Sequence, residues 1–281
     1  MKKKISLILS LLIIVFIVSG CSKKNDSKSD NSPKLTLTNT RSIPTFFFHG
    51  YGSSAKAEHQ MTTAALKAGV THTVIRANVS EDGKVSFNKA MAKSTKNPIV
   101  EVNLEDNQSG DVSYVKDAIV AFEKKYHYQK INLVGHSMGN LMIANYIKEN
   151  YNNKNLPQIN KVVSIAGHYN GYLGEEEGRT ARIKNKQTGE PDKFAPGFKN
   201  LLSLRKTYPK NIEVLNIYGD KKDGSKSDGS VSVTSAQSYK YLINGRAKSY
   251  REVEITGKNA QHSRLHENKE VDKYLIDFLW K

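Results

Sequence analysis

The sequence predicts an α/β domain, in which a mostly parallel β-sheet carries helices on both faces. Short apolar runs rich in β-branched residues alternate along the chain with amphipathic segments of helical period. Such alternation predicts parallel strands, because a parallel connection needs a long crossover that is usually a helix. The length agrees with this class: the chain has 281 residues, and residues 35–281 suit one large domain.

The first half of this domain is expected to contain helices with recognisable ends. Ser53 and Ser54 are good N-caps for a helix that continues to about Lys67, and Gly69 is a suitable stop. Apolar residues recur at helical spacing after Asp111, so a second amphipathic helix is predicted there. The predicted strands are residues 45–48, residues 72–79, a small hairpin around the turn at 81–84, and residues 99–104, whose alternation predicts an edge or return strand.

The second half continues this alternation of strands and helices, with one interruption. The predicted strands are residues 131–134, 161–166, 212–218 and 250–256, and the predicted helices are residues 141–148, 230–242 and 271–279. The interruption is residues 169–206, a polar stretch with several glycines and prolines that is too long for a simple connection. We expect this stretch to be an inserted cap over the functional site.

The first twenty residues are predicted to be a signal peptide. Lys2, Lys3 and Lys4 precede an apolar stretch, residues 5–18, that is too short for a membrane span but right for a secretion signal. Residues 18–21 read Val-Ser-Gly-Cys, which resembles the lipobox of bacterial lipoproteins. That resemblance implies that Cys21 is lipidated and anchors the protein to the extracytoplasmic face of the cell membrane. An ordinary signal peptide with an incidental cysteine is the alternative.

Cysteine usage and charge narrow the chemistry further. Cys21 is the one cysteine of the chain, so a cysteine nucleophile, a disulfide and a thiolate metal ligand are excluded in the mature domain. Residues 21–34 hold no large apolar side chain and are expected to form a disordered tether. The net charge is +16, but the lysines are scattered among acids. We therefore expect no nucleic-acid partner and instead attraction to anionic membrane or cell-wall surfaces.

The most informative motif is Gly-His-Ser-Met-Gly at residues 135–139, between a predicted strand and a predicted helix. It matches the nucleophile elbow G-x-S-x-G, in which a serine sits on a sharp turn and exposes its hydroxyl above the sheet edge. Only small residues fit two positions before and after the serine, which explains Gly135 and Gly139. An ordinary strand-to-helix turn is the alternative, but the flanking elements favour Ser137 as a nucleophile.

A serine hydroxyl needs an imidazole to take its proton and a carboxylate to orient that imidazole. His262 and His266 lie in the loop after the last predicted strand. Of the other histidines, His49 suggests a polar structural contact, His136 is expected to turn its side chain away at the elbow, and His168 is a candidate for the pocket wall. The spacing His-x-x-x-His lacks the glutamate of H-E-x-x-H, so no metal site is predicted.

With these segments the chain resembles the α/β-hydrolase superfamily, in which nucleophile, acid and histidine follow in that order and the histidine lies just beyond the last strand. The resemblance implies that His262 is the base, with His266 as the alternative. It also implies an oxyanion hole made by the main-chain amides of Tyr51 and Met138. More narrowly, the segments H-G-Y-G, G-H-S-M-G and H-S-R-L-H resemble an uncharacterised family of Gram-positive cell-surface lipoprotein hydrolases.

Two aspartates compete for the position of the acid. Asp220 closely follows the predicted strand 212–218, where many superfamily members carry their acid. Asp228 begins Asp-Gly-Ser-Val, which resembles the Asp-Gly-x-Val segment that supplies the acid in bacterial lipases of the superfamily. We favour Asp228. Asp220 would then brace the loop by accepting main-chain amides, a common role for aspartate at a turn.

These residues predict a serine hydrolase that cleaves carboxylic esters through an acyl-enzyme, acts on a small-molecule ester or lipid, and needs no cofactor. An acyltransferase, an amidase or a thioesterase would use the same triad. A protein of another class, a binding lipoprotein with an inactive hydrolase fold, is the third alternative. The presence of candidates for all three triad positions argues against it.

Overall fold

The computed structural model of the protein describes residues 42–92, 94–243 and 245–281. The expected signal peptide, Cys21 and the tether lie outside these residues and stay predictions. The strands are β1 Thr45–Phe48, β2 Val74–Val79, β3 Val85–Phe87, β4 Ile99–Leu104, β5 Lys130–His136, β6 Gln158–Ile165, β7 Ile183–Asn185, β8 Glu190–Pro191, β9 Glu213–Asp220 and β10 Ser249–Thr256. The helices are α1 His59–Lys67, α2 Ser113–Tyr126, α3 Met138–Asn150, α4 Glu176–Thr180, α5 Pro196–Leu201, α6 Leu204–Thr207, α7 Val233–Gln237, α8 Tyr239–Ile243 and α9 Lys269–Trp280. Short 3-10 helices span Ala55–Glu58, Lys258–Ala260 and His262–Glu267.

An eight-stranded sheet lies at the centre of the described domain, in the order β10-β9-β6-β5-β1-β4-β2-β3. Its strands pair in parallel, except that β2 and β3 form the small antiparallel hairpin that the turn signal predicted. The predicted α/β class with a mostly parallel sheet is therefore confirmed. Because β5, β6, β9 and β10 are neighbours, the loops after their carboxyl ends meet at one edge of the sheet.

Strand β1 shows how the sheet is buried on both faces. Phe46 and Phe48 pack into a core with α2, α3, α5 and α8, whereas Phe47 packs on the opposite face with α1 and α9. This alternation follows from the two-residue period of a strand. A strand covered on both faces is a continuous apolar run, which is the pattern that the sequence shows here. Across the described part of the chain, no helix combines the length and apolar character that a membrane crossing requires.

Strand β4 lies inside the sheet, between β1 and β2, so the expected edge position is wrong. Its apparent polar face includes Glu101, which is buried. The Glu101 carboxylate accepts a hydrogen bond from Thr62 (2.7 Å) and pairs with Arg76 (3.3 Å). A buried carboxylate with partners thus imitates the polar face of an exposed strand, because the sequence does not show whether a charge is paired.

The predicted helix 230–242 is in fact two short helices, α7 and α8. Helix α7 begins only after Ser232, whose side chain accepts a hydrogen bond from the Ser235 N–H (3.2 Å). Residues 228–231 therefore form a separate turn, closed by a hydrogen bond from the Asp228 N–H to the Val231 carbonyl (3.1 Å). This turn determines where the Asp228 carboxylate lies.

The segment 169–206 divides into two parts that differ in burial. The first part, residues 169–194, contains α4 and the antiparallel pair β7–β8, and most of its residues are exposed or half-buried. The second part buries Phe198, Leu201 and Leu204 in the main core. The expectation of a cap over the whole segment is therefore wrong for residues 195–204. The signal was available in the sequence, because these apolar residues are three apart and follow Pro196, a good first residue for a helix.

Candidate active site

Ser137 lies on the turn between β5 and α3, at the carboxyl edge of the sheet. Its backbone has a φ of 51° and a ψ of −118°, a conformation that a serine adopts only when its surroundings hold it there. The Ser137 N–H donates to the Ile165 carbonyl on β6 (3.0 Å), and the side-chain amide of Asn140 donates to the same oxygen (2.8 Å). The strained turn is thus tied to the neighbouring strand.

Gly135 and Gly139 permit a close approach of backbones around this turn. A Cβ at Gly139 would overlap the carbonyl oxygen of Phe48, and a Cβ at Gly135 would lie 2.7 Å from Asn140 Oδ1. Helix α3 can therefore pack against β1 only because residue 139 has no side chain. This is the requirement for small residues that the motif predicted.

Ser137, His262 and Asp228 form a continuous chain of hydrogen bonds. His262 Nδ1 lies 2.8 Å from Asp228 Oδ2, and His262 Nε2 lies 2.9 Å from Ser137 Oγ. Because the carboxylate accepts the Nδ1 proton, Nε2 is free to accept the proton of the serine hydroxyl. The other carboxylate oxygen of Asp228 accepts the N–H groups of Ser230 (2.8 Å) and Val231 (2.7 Å). Asp228 is buried, so these bonds hold it without competition from water.

Asp220 faces different partners. Its carboxylate accepts the main-chain N–H of Lys222 (2.8 Å) and the Lys222 ammonium group (2.9 Å), which also bonds Glu254 (2.7 Å). Burial acts to raise the pKa of Asp220, but the hydrogen bonds from Lys222 outweigh it and lower this pKa. Asp220 therefore braces its loop, while the carboxylate that reaches the imidazole is that of Asp228.

Met138 directly follows Ser137, and Gly50, the residue before Tyr51, packs against Ser137. Met138 is the first residue of α3, where a helix N–H has no acceptor within the helix. Tyr51 follows Gly50, and a Cβ at Gly50 would lie 3.0 Å from the Cβ of Ser137. The two amides implied as an oxyanion hole thus belong to the two segments that adjoin the candidate nucleophile, where a developing oxyanion would need donors.

His49 makes the polar structural contact that its position at a strand end predicted. It is fully buried. Its Nδ1–H donates to the Gly50 carbonyl (2.9 Å), and its Nε2 accepts the Leu104 N–H (3.2 Å). Burial lowers the pKa of His49, which agrees with a neutral ring that has one donor and one acceptor. His49 therefore ties the loop that carries Tyr51 to the end of β4.

Three more histidines surround His262. The ring centroid of His136 lies 4.9 Å from that of His262 and 4.8 Å from that of His266. The expectation that His136 turns away from the site is therefore wrong, and His266, the alternative base, packs on His136. Burial and the nearby His262 lower the pKa of His168 to about 4. Burial also lowers the pKa values of His136 and His266, so these rings add no positive charge beside His262 at neutral pH.

An α/β hydrolase is recognised by the order of its nucleophile, acid and histidine along the chain and by the strands that precede them. Here Ser137 follows β5, Asp228 follows β9 and His262 follows β10, and the parallel sheet brings them to one edge. The protein is an α/β hydrolase. No group of three or more His, Cys, Asp or Glu side chains within residues 42–92, 94–243 and 245–281 is arranged to hold a metal ion.

The chain belongs to the family of α/β hydrolases of unknown function designated DUF915, whose model matches residues 32–281. Among solved structures, the product of gene lin2722 of Listeria innocua is 24% identical with a TM-score of 0.79, over 85% of this chain and 94% of that one. A Lactobacillus plantarum protein proposed to be a cell surface hydrolase is 21% identical with a TM-score of 0.67, over 86% and 91% of the two chains. At these identities the similarity shows the fold alone. No curated protein matches the chain.

Proposed function

We propose that the protein is a serine hydrolase that cleaves carboxylic esters through an acyl-enzyme on Ser137. The observation that carries the proposal is the hydrogen-bonded chain from Ser137 through His262 to Asp228. A serine hydroxyl is a weak nucleophile until a neighbouring base takes its proton, and a buried carboxylate keeps that base in the correct tautomer. The substrate class is a small-molecule ester or a lipid.

In the first half of the reaction, Ser137 Oγ attacks the carbonyl carbon of the ester while its proton passes to His262 Nε2. The carbonyl oxygen becomes an oxyanion and accepts hydrogen bonds from the main-chain N–H groups of Tyr51 and Met138. The C–O bond to the alcohol then breaks, and His262 returns the proton to the leaving oxygen. Asp228 stays ionised throughout and stabilises the imidazolium.

In the second half, a water molecule attacks the acyl-enzyme and gives its proton to His262. The same two amides stabilise the second oxyanion, Ser137 leaves with the proton from His262, and a carboxylic acid is released. The ester and water supply every atom of the products, so the proposed reaction needs no cofactor. An acceptor other than water, or an amide or thioester substrate, would use the same groups.

We also propose that a lipid on Cys21 holds the hydrolase at the extracytoplasmic face of the cell membrane. The support is the segment Val-Ser-Gly-Cys at residues 18–21, which directly follows an apolar stretch of signal-peptide length. The description of the Lactobacillus plantarum protein as a proposed cell surface hydrolase agrees with such a location. Residues 22–34 would then act as a polar tether that lets the domain act away from the bilayer surface.

A fluorophosphonate probe and a panel of p-nitrophenyl esters of graded acyl length test the proposed activity. The wild-type protein should label, and Ser137→Ala should abolish labelling and lower turnover by about four to six orders of magnitude. Thermal unfolding of the variant controls for its folding. A wild-type protein that does not label would favour the binding lipoprotein. Labelling accompanied by acyl transfer to an added alcohol or amine, without hydrolysis, would identify a transferase.

A further inference from the structure

His136 links the nucleophile turn to the loop that carries His262. It is the last residue of β5, and its side chain is buried. Its Nε2 lies 3.1 Å from the main-chain carbonyl oxygen of His262. Because a carbonyl oxygen only accepts hydrogen bonds, the proton of His136 is on Nε2, which is the donor. His136 thus contacts both the ring and the backbone of the candidate base.

The opposite edge of the His136 ring faces the loop that contains Tyr51. A Cβ at Gly50 would lie 3.2 Å from His136 Nδ1, and 3.0 Å from the Cβ of Ser137. The backbone of Gly50 therefore packs directly on the imidazole. One buried side chain lies between the loop implied in the oxyanion hole and the loop that carries the base.

We propose that His136 is a positioning residue, whose Nε2–H fixes the backbone of His262 and so keeps the His262 imidazole aligned between Ser137 and Asp228. The inference rests on the proposed function, because it gives His136 a role in the same reaction. The other end of residue 262 is also held, since the His262 N–H donates to the Asp228 carbonyl (2.9 Å). With both backbone groups bonded, His262 has only its side-chain torsions free.

Alignment of this kind affects the rate, because the base must be within hydrogen-bond reach of the proton that it removes. A misplacement of about 1 Å that originates away from the reacting atoms can slow a reaction by about 100-fold. The loop between β10 and α9 consists of two short 3-10 helices. Without the donor of His136, the His262 carbonyl would lose a buried partner, and this loop would shift to satisfy it. The loss would fall on kcat, because His136 acts on the base rather than on the substrate.

Two substitutions separate the donor from the packing of the ring. His136→Gln keeps an N–H donor on a side chain of similar reach, whereas His136→Met fills a similar volume without a donor. We expect the methionine variant to lose about 100-fold in kcat with KM changed less than about twofold, and the glutamine variant to recover most of that loss. His72→Gln is the control, because it makes the same histidine-to-glutamine change at an exposed position outside the site. It should keep kcat within about threefold of the wild-type value.

The outcomes distinguish a positioning role from packing alone. Equal kcat losses in the glutamine and methionine variants, with equal shifts of Tm, would overturn the proposal, and so would wild-type kcat in the methionine variant. Failure of the proposed function would look different, because the wild-type protein itself would then neither react with the fluorophosphonate nor hydrolyse esters.

Heteronuclear NMR of histidine-labelled Ser137→Ala protein gives an answer even if the His136 variants do not fold. The His136 ring should be neutral at neutral pH, with its proton on Nε2 and protected from exchange with water. An Nδ1–H tautomer would overturn the proposal, because its Nε2 carries no proton to donate to the His262 carbonyl.

Discussion

Asp220, the last residue of β9, and Asp228, in the loop that follows, face different partners, which defines a kinetic test. In Asp228→Asn, the side-chain amide no longer offers a charged acceptor to the Nδ1 proton of His262, and the imidazole loses its correct tautomer. We expect kcat to fall by about 10,000-fold.

Asp220→Asn removes the pair with Lys222 and should lower the free energy of unfolding by about 1 kcal/mol without a comparable kinetic loss. Steady-state kinetics and thermal unfolding of both variants check this. A larger kinetic loss in Asp220→Asn than in Asp228→Asn would show that the acid is Asp220, at the end of β9.

Glu58 is a buried carboxyl group outside the site, and it predicts a pH dependence of stability. Neither of its carboxyl oxygens has a hydrogen-bond partner among the described residues. Burial, and then the charge of Glu101, raise the pKa of Glu58 from 4.5 to about 8. The folded state therefore binds this proton more tightly than the unfolded chain does. The associated stability is fully present below pH 4.5 and is lost as the pH rises to about 8. The loss across this window is on the order of 5 kcal/mol.

Glu58→Gln should remove this contribution, because an amide does not ionise. We expect the variant to match the wild-type Tm near about pH 5 and to exceed it by more than about 5 °C near about pH 9. Glu105→Gln replaces an exposed carboxylate of the same sign and serves as the control, with no such divergence. Calorimetry across the pH range measures the effect. Parallel Tm curves for wild type and Glu58→Gln would show that Glu58 ionises normally.

At the scale of elements, the two parts of the segment 169–206 should respond differently to change. Phe198 is fully buried and its ring lies 5.1 Å from that of Phe194 and 6.2 Å from that of Tyr241. Phe198→Ala should therefore cost about 3–5 kcal/mol of the free energy of unfolding. Replacing residues 186–189, the loop between β7 and β8, by Asn-Gly should shift Tm by only a few degrees, because residues 186–188 are exposed or half-buried and the new glycine takes the place of the buried Gly189.

Chemical denaturation of both proteins measures these effects, and their acyl-length preferences report on the site. A changed preference in the shortened hairpin would support a cap formed by the first part of the segment. Deletion of all of residues 169–206 should unfold the domain, because it removes core residues. A folded deletion variant would show that residues 195–204 are dispensable, contrary to their burial.

At the scale of the whole molecule, the expected lipid anchor predicts where the protein is found. Cys21→Ser removes the single thiol that could carry the lipid. The variant should leave the membrane fraction, or accumulate with its signal peptide uncleaved, while purified domain beginning after residue 34 keeps its esterase activity. Cell fractionation with immunoblotting measures this. Normal processing and unchanged membrane retention of Cys21→Ser would instead favour an ordinary signal peptide.

The sequence by itself determined the parallel α/β class, the strand-to-helix turn at Ser137 and a short set of candidates for its partners. Each of these depends on residues close together in the chain. Gly135 and Gly139 permit the turn at Ser137, and the spacing of apolar residues within each segment is enough to distinguish strands from amphipathic helices. Even the preference for Asp228 as the acid rested on a four-residue segment, Asp-Gly-Ser-Val, that resembles those of known hydrolases.

Only the tertiary structure decided which aspartate meets His262, that β4 is interior and that His136 contacts the loop of the base. These outcomes depend on residues far apart in sequence; His136 and His262 are separated by 126 positions. No local signal in the sequence could have shown that contact. The periodic spacing of apolar residues indicates which side chains are buried, but not which residues they contact in the core. The partner follows from the order of strands in the sheet, and that order is set by the packing of both faces at once.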